Sequence, residues 1–336
     1  MGDTKFPAHH IRIRACLIAA VTASIALAAC SSSTSTGTSQ AANSKSGTKL
    51  ILFELAFPCG LNSGISELCS SVTAQAAKLP SGYKVEIKNA VDNADNSAFN
   101  SLIQTSLQLN PAGLIVFPAG PAAQTPVLNQ ACDKGVKVVI MESPATGVKC
   151  QSSFVGTNNA KLGEEDARWL IAHPPASKQV GIVTQPPGEY VSTDQRVQGF
   201  TKTITAAGYQ IVATATTNLS VDTTRTAVTN MVTAHPQLGA IFSANGPIGD
   251  GTQQALVTHP GITQLTLDGQ PNDVHSILNG TIGADAVSDV KTEGQLAVTY
   301  AAAAVQGHAV PATAYVPSKV IDKANAQQYL AASGQK

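Results

Sequence analysis

Charge and aromatic rings are scarce in this sequence. Only 12% of its 336 residues are Asp, Glu, Lys or Arg, and only 4% are Phe, Trp or Tyr. The 21 basic side chains are matched by 21 acidic ones. That balance leaves no excess to neutralise a phosphate backbone, which excludes a nucleic-acid partner. Six cysteines are too few for a disulfide-dense miniature fold. No apolar run reaches the roughly 20 residues of a spanning helix, which excludes a multi-span membrane protein. Catalytic signatures are missing as well: there is no HExxH, GxSxG, Walker loop or GxGxxG. Three of the seven histidines (His173, His235, His259) stand before proline, where they end helices and make poor general bases. These gaps predict a protein without catalytic residues, metal or cofactor.

What is present starts with an export signal. Lys5, Arg12 and Arg14 precede an apolar run from Ala15 to Ala29, about 15 residues long, and small residues close it. Leu27-Ala28-Ala29-Cys30 resembles the bacterial lipobox, in which the cysteine is acylated and becomes the first residue. Residues 1–29 are therefore expected to be a lipoprotein signal peptide, with Cys30 the lipidation site. The chain is expected at the outer face of the bacterial cytoplasmic membrane, held by acyl chains and not by a helix. Residues 30–48 are Ser/Thr-rich and almost free of apolar side chains, and they form a tether. Four cysteines remain, Cys59, Cys69, Cys132 and Cys150, and they allow three connectivities. The local pairing, Cys59–Cys69 and Cys132–Cys150, closes two short loops and is preferred over a zinc site, for which no CxxC or nearby His exists.

The body alternates strands and helices. LILFEL (50–55), YKVEIKNA (83–90), GLIVFP (113–118), VKVVIME (136–142) and SSFVG (152–156) are strands, separated by helical stretches up to the last of them. A second series follows with QVGIVTQ (179–185), YQIVATAT (209–216), GAIFSAN (239–245), ITQLTLDG (262–269) and TIGADAV (281–287), and then an Ala-rich helix over 292–307. Continuous apolar strands bounded by Gly and Pro predict parallel sheets covered on both faces, in two doubly wound α/β lobes. Ligands of such lobes sit beyond the carboxyl ends of the strands. The residues after each strand are therefore the ones to read for chemistry.

MVTAHPQLGAIFSAN (231–245), LDGQPNDVHSILNGTIGADA (267–286) and DQRVQGFTKTI (194–204), with VKVVIMES (136–143) and FVGTNN (154–159), resemble the periplasmic sugar-binding proteins of the ribose-binding type. These are solute receptors of ABC importers and share their two-lobed fold with LacI-type repressors. The resemblance runs from about Lys49 to Lys319. It implies a type I periplasmic binding protein: two Rossmann-like lobes joined by a three-strand hinge, which closes on ligand. It assigns 49–156 with 289–312 to the first lobe, and 157–288 with 313–325 to the second. The implied partners are a sugar or polyol, an ABC permease with its ATPase, and the membrane through the lipid, for a chain that acts as a monomer. A ligand-sensing receptor docking on a signalling partner, or a binder of another small polar solute, is the alternative.

The resemblance also points to site residues. Asp268 and Asn245 match pocket positions of the family, and Glu142 stands where the family has an Asp. Phe57 lies where aromatics face a sugar ring, and Asn158, Tyr190 and Asp194 complete the expected ligand set. Each has a plainer reading: Asp268-Gly269 and Asn245-Gly246 are turn dipeptides, Asp194 suits a helix cap, and Phe57 suits core packing. Arg196 is expected to be a structural ion-pair partner, and Trp169 to pack on its helix face. The sequence departs from the family where Ser143 and Asp194 replace arginines, and where Leu219 and Ser288 stand near a Phe and a Gln. Carboxylates in place of guanidinium donors suit hydroxyls and ammonium groups, so a polyol or amino-bearing sugar is expected over plain ribose.

Overall fold

The computed structural model describes residues 47–91 and 95–333. The leader, Cys30 and the tether as far as residue 46 lie outside the described residues. The first series runs β1 (Lys49–Leu55), α1 (Ser63–Ala76), β2 (Tyr83–Asn89), α2 (Asn96–Ser106), β3 (Gly113–Phe117), α3 (Pro121–Asp133), β4 (Lys137–Met141) and β5 (Gln151–Gly156). The second runs α4 (Asn159–Ala172), β6 (Gln179–Thr184), α5 (Val191–Ala206), β7 (Gln210–Thr216), α6 (Val221–Ala234), β8 (Leu238–Ser243), α7 (Gly246–Leu256), β9 (Thr263–Leu267), α8 (Pro271–Asn279) and β10 (Ala284–Ser288). The chain then returns through α9 (Val290–Val305), β11 (Thr313–Tyr315), β12 (Ser318–Asp322) and α10 (Ala326–Ser333).

Two six-stranded sheets result, ordered β11-β5-β4-β3-β1-β2 and β12-β10-β9-β8-β6-β7. All pairings are parallel except β10 with β12. Period-two alternation explains how each strand serves two faces. In the second lobe, Val180 and Ile182 of β6 and Phe242 of β8 join a core under α4 and α5, where Phe200 stacks on Phe242 at 4.1 Å. Val183 and Ile241, one residue out of phase, join the core under α6 and α7. The first lobe is built on the same plan, with α1 and α9 packed together and α2 beside α3. The two disulfides are Cys59–Cys69 and Cys132–Cys150.

The chain passes between sheets three times: from β5 into α4, from β10 into α9, and from β11 into β12. The last passage differs from the expectation, which gave 313–325 to the second lobe. Thr313–Tyr315 pairs with Phe154–Gly156 in the first sheet. The reason is that α9 packs on β3, β4 and β5, so the chain leaving it is delivered to the β5 edge before it can cross. Of the four elements the sequence pattern did not disclose, α8 opens on Pro271, β11 is three residues long, and β12 and α10 sit at the chain's end.

One helix pair decides where the site forms. α4 and α5 cross with Gly163 against the Arg196 carbonyl and Gly199 against the Ala160 carbonyl, with no room for a Cβ at either glycine. This backbone approach lets the start of α5, which carries Arg196, sit directly over the start of α4.

Candidate functional site

The site lies between the lobes, at the carboxyl ends of the strands. A cavity of about 140 Å³ is lined by residues that end or follow β1 (Asn62, Ser63, Glu67), β3 (Phe117), β4 (Glu142), β6 (Tyr190, Ser192, Arg196), β9 (Asp268, Gly269) and β10 (Ser288, Glu293). Tyr329 of α10 completes the wall. Pockets for drug-sized ligands are usually ~300–1,000 Å³, so this one has room only for a smaller molecule.

Arg196 stands at the centre and is 7% exposed. Its Nη2 donates to Glu142 Oε1 at 3.1 Å and its Nη1 to Asp268 Oδ1 at 3.0 Å. Nε donates to Asn159 Oδ1 at 2.7 Å. Burial pushes the guanidinium's pKa down, but the carboxylates of Asp268 and Glu142 outweigh it and hold the charge more firmly than usual. Glu142 belongs to the first lobe, and Arg196 and Asp268 to the second, so this ion network spans the cleft. Ser63 of α1 adds a second bridge, donating from Oγ to Gln270 Oε1 at 2.9 Å. Tyr190 reaches over from the second lobe to pack against the first-lobe core, and burial raises its pKa, with Glu189 adding to the shift.

Both bridged carboxylates sit on unusual backbone. Glu142 has φ +53° and Asp268 φ +86°, the left-handed region that an L residue adopts at a cost. Local bonds hold them there. Glu142 Oε2 accepts from Thr157 N at 3.2 Å, and its carbonyl accepts from Asn159 Nδ2 at 3.3 Å. Asp268 Oδ2 accepts from Gly246 N at 3.0 Å, and the following Gly269 N donates to both oxygens of buried Asp285.

Of the seven expected ligand residues, the structure brings Glu142, Tyr190 and Asp268 to the cavity. The other four are placed elsewhere. Phe57 is buried edge-on against Phe117, and it is Phe117 that lines the cavity. Asn158 is exposed and caps α4 by accepting from Lys161 N at 3.1 Å, while its neighbour Asn159 is the buried one that meets Arg196. Asp194 accepts from Gly188 N at 2.8 Å and ties down the loop before α5. Asn245 caps α7 through Ile248 N and donates to Gln185, so its side chain is occupied. Trp169 packs in the second lobe, donating to Asp322 at 3.1 Å.

Sequence reasoning missed Ser63, Glu67, Phe117, Glu293 and Tyr329. Phe117 ends β3 and Glu293 lies in the first turn of the helix after β10, both at carboxyl ends of strands that the rule for such sheets singles out. Tyr329 follows no lobe-crossing motif, and nothing in its sequence neighbourhood points to it. Among the described residues, no group of three or more His, Cys, Asp or Glu side chains is arranged to hold a metal ion.

A family model described as "Periplasmic binding protein domain" matches residues 59–309. The D-ribose/D-allose-binding protein of Pseudomonas aeruginosa is 26% identical over 194 residues, which are 54% of this chain and 58% of that protein. This chain thus spans a little over half the length of that relative. The ribose import binding protein RbsB of Bacillus subtilis is 25% identical over 240 residues, 71% of this chain and 77% of that one. An ABC transporter solute binding protein from Bacillus halodurans, solved with bound myo-inositol, superposes with a TM-score of 0.77 at 18% identity. That alignment covers 86% of this chain and 99% of the other, and it shows a shared fold.

Proposed function

This chain belongs to the periplasmic binding protein domain family, and from that premise we propose that it is the substrate-binding component of an ABC importer. It captures a sugar or sugar-like polyol between its lobes and delivers it to a membrane permease. Transport work comes from the importer's ATPase. The observation that carries this reading is the cleft itself: Glu142 of one lobe and Asp268 of the other meet through Arg196 over a cavity between the lobes. Carboxylate, amide and hydroxyl groups there can each accept or donate to sugar hydroxyls, and the rings of Phe117, Tyr190 and Tyr329 offer apolar faces. A ligand that touches both lobes binds the shut form better than the open one and shifts the population toward it. The names of the Pseudomonas and Bacillus relatives support the sugar class.

Export and anchoring rest on the sequence: the leader over 1–29, Cys30 as the acylated residue, and the tether. A lipid there keeps the receptor within reach of its permease.

The test is a thermal-unfolding panel of pentoses, hexoses, polyols and amino sugars on protein unfolded and refolded to strip carried ligand. A true ligand at 100 times its dissociation constant adds about 2.7 kcal/mol of stability. A rise in Tm of several degrees with one sugar or polyol class is the expected result. No rise with any member of the panel overturns the sugar-receptor reading.

A further inference from the structure

The cavity is lined by more carboxyl groups than its arginine can pair. Glu67, Glu142, Asp268 and Glu293 line it, and among the described residues Arg196 is the only lysine or arginine that does. Arg196 is moreover already engaged, with its donors on Glu142, Asp268, Asn159 and the Ala244 carbonyl. Glu293, in the first turn of α9, is 1% exposed, and its Oε1 has no hydrogen-bond partner. Around it stand Glu142 and Asp289, which repel a carboxylate, and Arg196, which attracts one. Glu67 faces Lys291, a partial offset, and Asp289.

Resting on the reading of this cleft as a solute site, we infer that the protein selects a ligand carrying a protonated amine beside its hydroxyls, with Glu293 receiving the ammonium. An ammonium supplies up to three donors and a positive charge. It can satisfy the idle Oε1 of Glu293, and it offsets the repulsion between Glu293 and Glu142 at one stroke. The rings of Phe117, Tyr190 and Tyr329 on the same wall suit a cation as well as a sugar face. A neutral polyol brings no charge to Glu293, which then stays buried as the neutral acid, the form that its burial and the nearby Glu142 favour.

Titration calorimetry with matched pairs separates the two cases: D-glucosamine with D-glucose, D-galactosamine with D-galactose, 1-amino-1-deoxysorbitol with sorbitol, and serinol with glycerol. The expected result is that in at least one pair the amine binds at least about tenfold tighter than its neutral partner. Glu293→Gln should reduce that ratio to near one. Ser288→Lys, which places a built-in ammonium on the cavity wall, should do the same in a chain that keeps the glutamate, and it decides the matter if Glu293→Gln fails to fold. Sugars or polyols that bind with no amine preference in any pair overturn this inference and leave the receptor reading standing. So does a preference that survives both substitutions. Silence from all eight probes and the wider sugar panel overturns both readings.

Discussion

Among the described residues, three non-glycine positions adopt left-handed backbone, and two of them are Glu142 and Asp268. Such conformations cost about 1–3 kcal/mol each and persist only where surrounding contacts enforce them. Here the enforcing contacts are Thr157, Asn159, Gly246 and Asp285, so the two carboxylates are aimed by the backbone before any ligand arrives. Both were legible in the sequence, because each directly follows a buried strand. Asn158 and Asn159 were not separable: the side that an asparagine takes at a helix start depends on the entry angle of the chain, which adjacent residues share. Glu54 gives a prediction at this scale. It lies wholly inside β1, and burial raises its pKa from 4.5 to about 7, with Ser106 and Lys88 opposing. The folded state therefore binds its proton more tightly than the unfolded chain does. Stability from this group is complete below pH 4.5 and drains away as pH rises to about 7. The full loss is about 3 kcal/mol. Glu54→Gln should then be more stable than the parent in urea at pH 8, with the gap closing at pH 4.5. A gap that is the same at both values would show that Glu54 does not titrate across this range.

At the scale of elements, strand and helix periodicity located most of the fold, because parallel strands buried on both faces are continuous apolar runs. What escaped were short or peripheral pieces whose structure comes from tertiary pairing and not from their own pattern. β11 is a strand only because α9 delivers it to the β5 edge. The cysteine spacing was more informative, since two close pairs close two short loops. The Cys59–Cys69 bond encloses Asn62, Ser63 and Glu67, three residues of the cavity wall. Such a loop of about 10 residues limits the unfolded chain by about 3 kcal/mol. Replacing both cysteines by alanine should lower unfolding free energy by about that amount. It should also weaken binding of any ligand found in the panel, because the start of α1 then needs ordering on closure. The Cys132–Cys150 loop also encloses one wall residue, Glu142, but Thr157 N and Asn159 Nδ2 hold that residue from outside the loop. The equivalent change there should therefore cost stability and leave affinity nearly unchanged. Equal effects of the two pairs on affinity would sever the link between the first bond and the site.

For the whole molecule, the controlling quantity is the balance between open and shut lobes. Three short passages join the sheets, at Thr157–Asn158, at Asp289 and at Val316–Pro317, so little backbone resists opening. Against opening stand the Arg196–Glu142 bond and the Ser63–Gln270 bond across the cleft. The discontinuity of the lobes was legible only through the family resemblance. Local pattern reports strands and helices but not which sheet a returning strand joins. The latch was half legible: Arg196 stood out as an ion-pair partner, but its span across both lobes depends on α4 and α5 touching at Gly163 and Gly199. A charge-assisted hydrogen bond contributes about 1.5–3 kcal/mol, which is roughly a 10- to 150-fold bias toward the shut form. Glu142→Gln keeps the shape of the side chain and removes its charge, so the latch weakens while the fold stays intact. Small-angle scattering on ligand-stripped protein should then give a larger radius of gyration for Glu142→Gln than for the parent. Saturating ligand should bring both to the same compact value, because the ligand supplies the contacts that the latch no longer does. Identical radii before ligand would mean that Arg196 and Glu142 do not hold the lobes together, and that closure depends on ligand contacts alone.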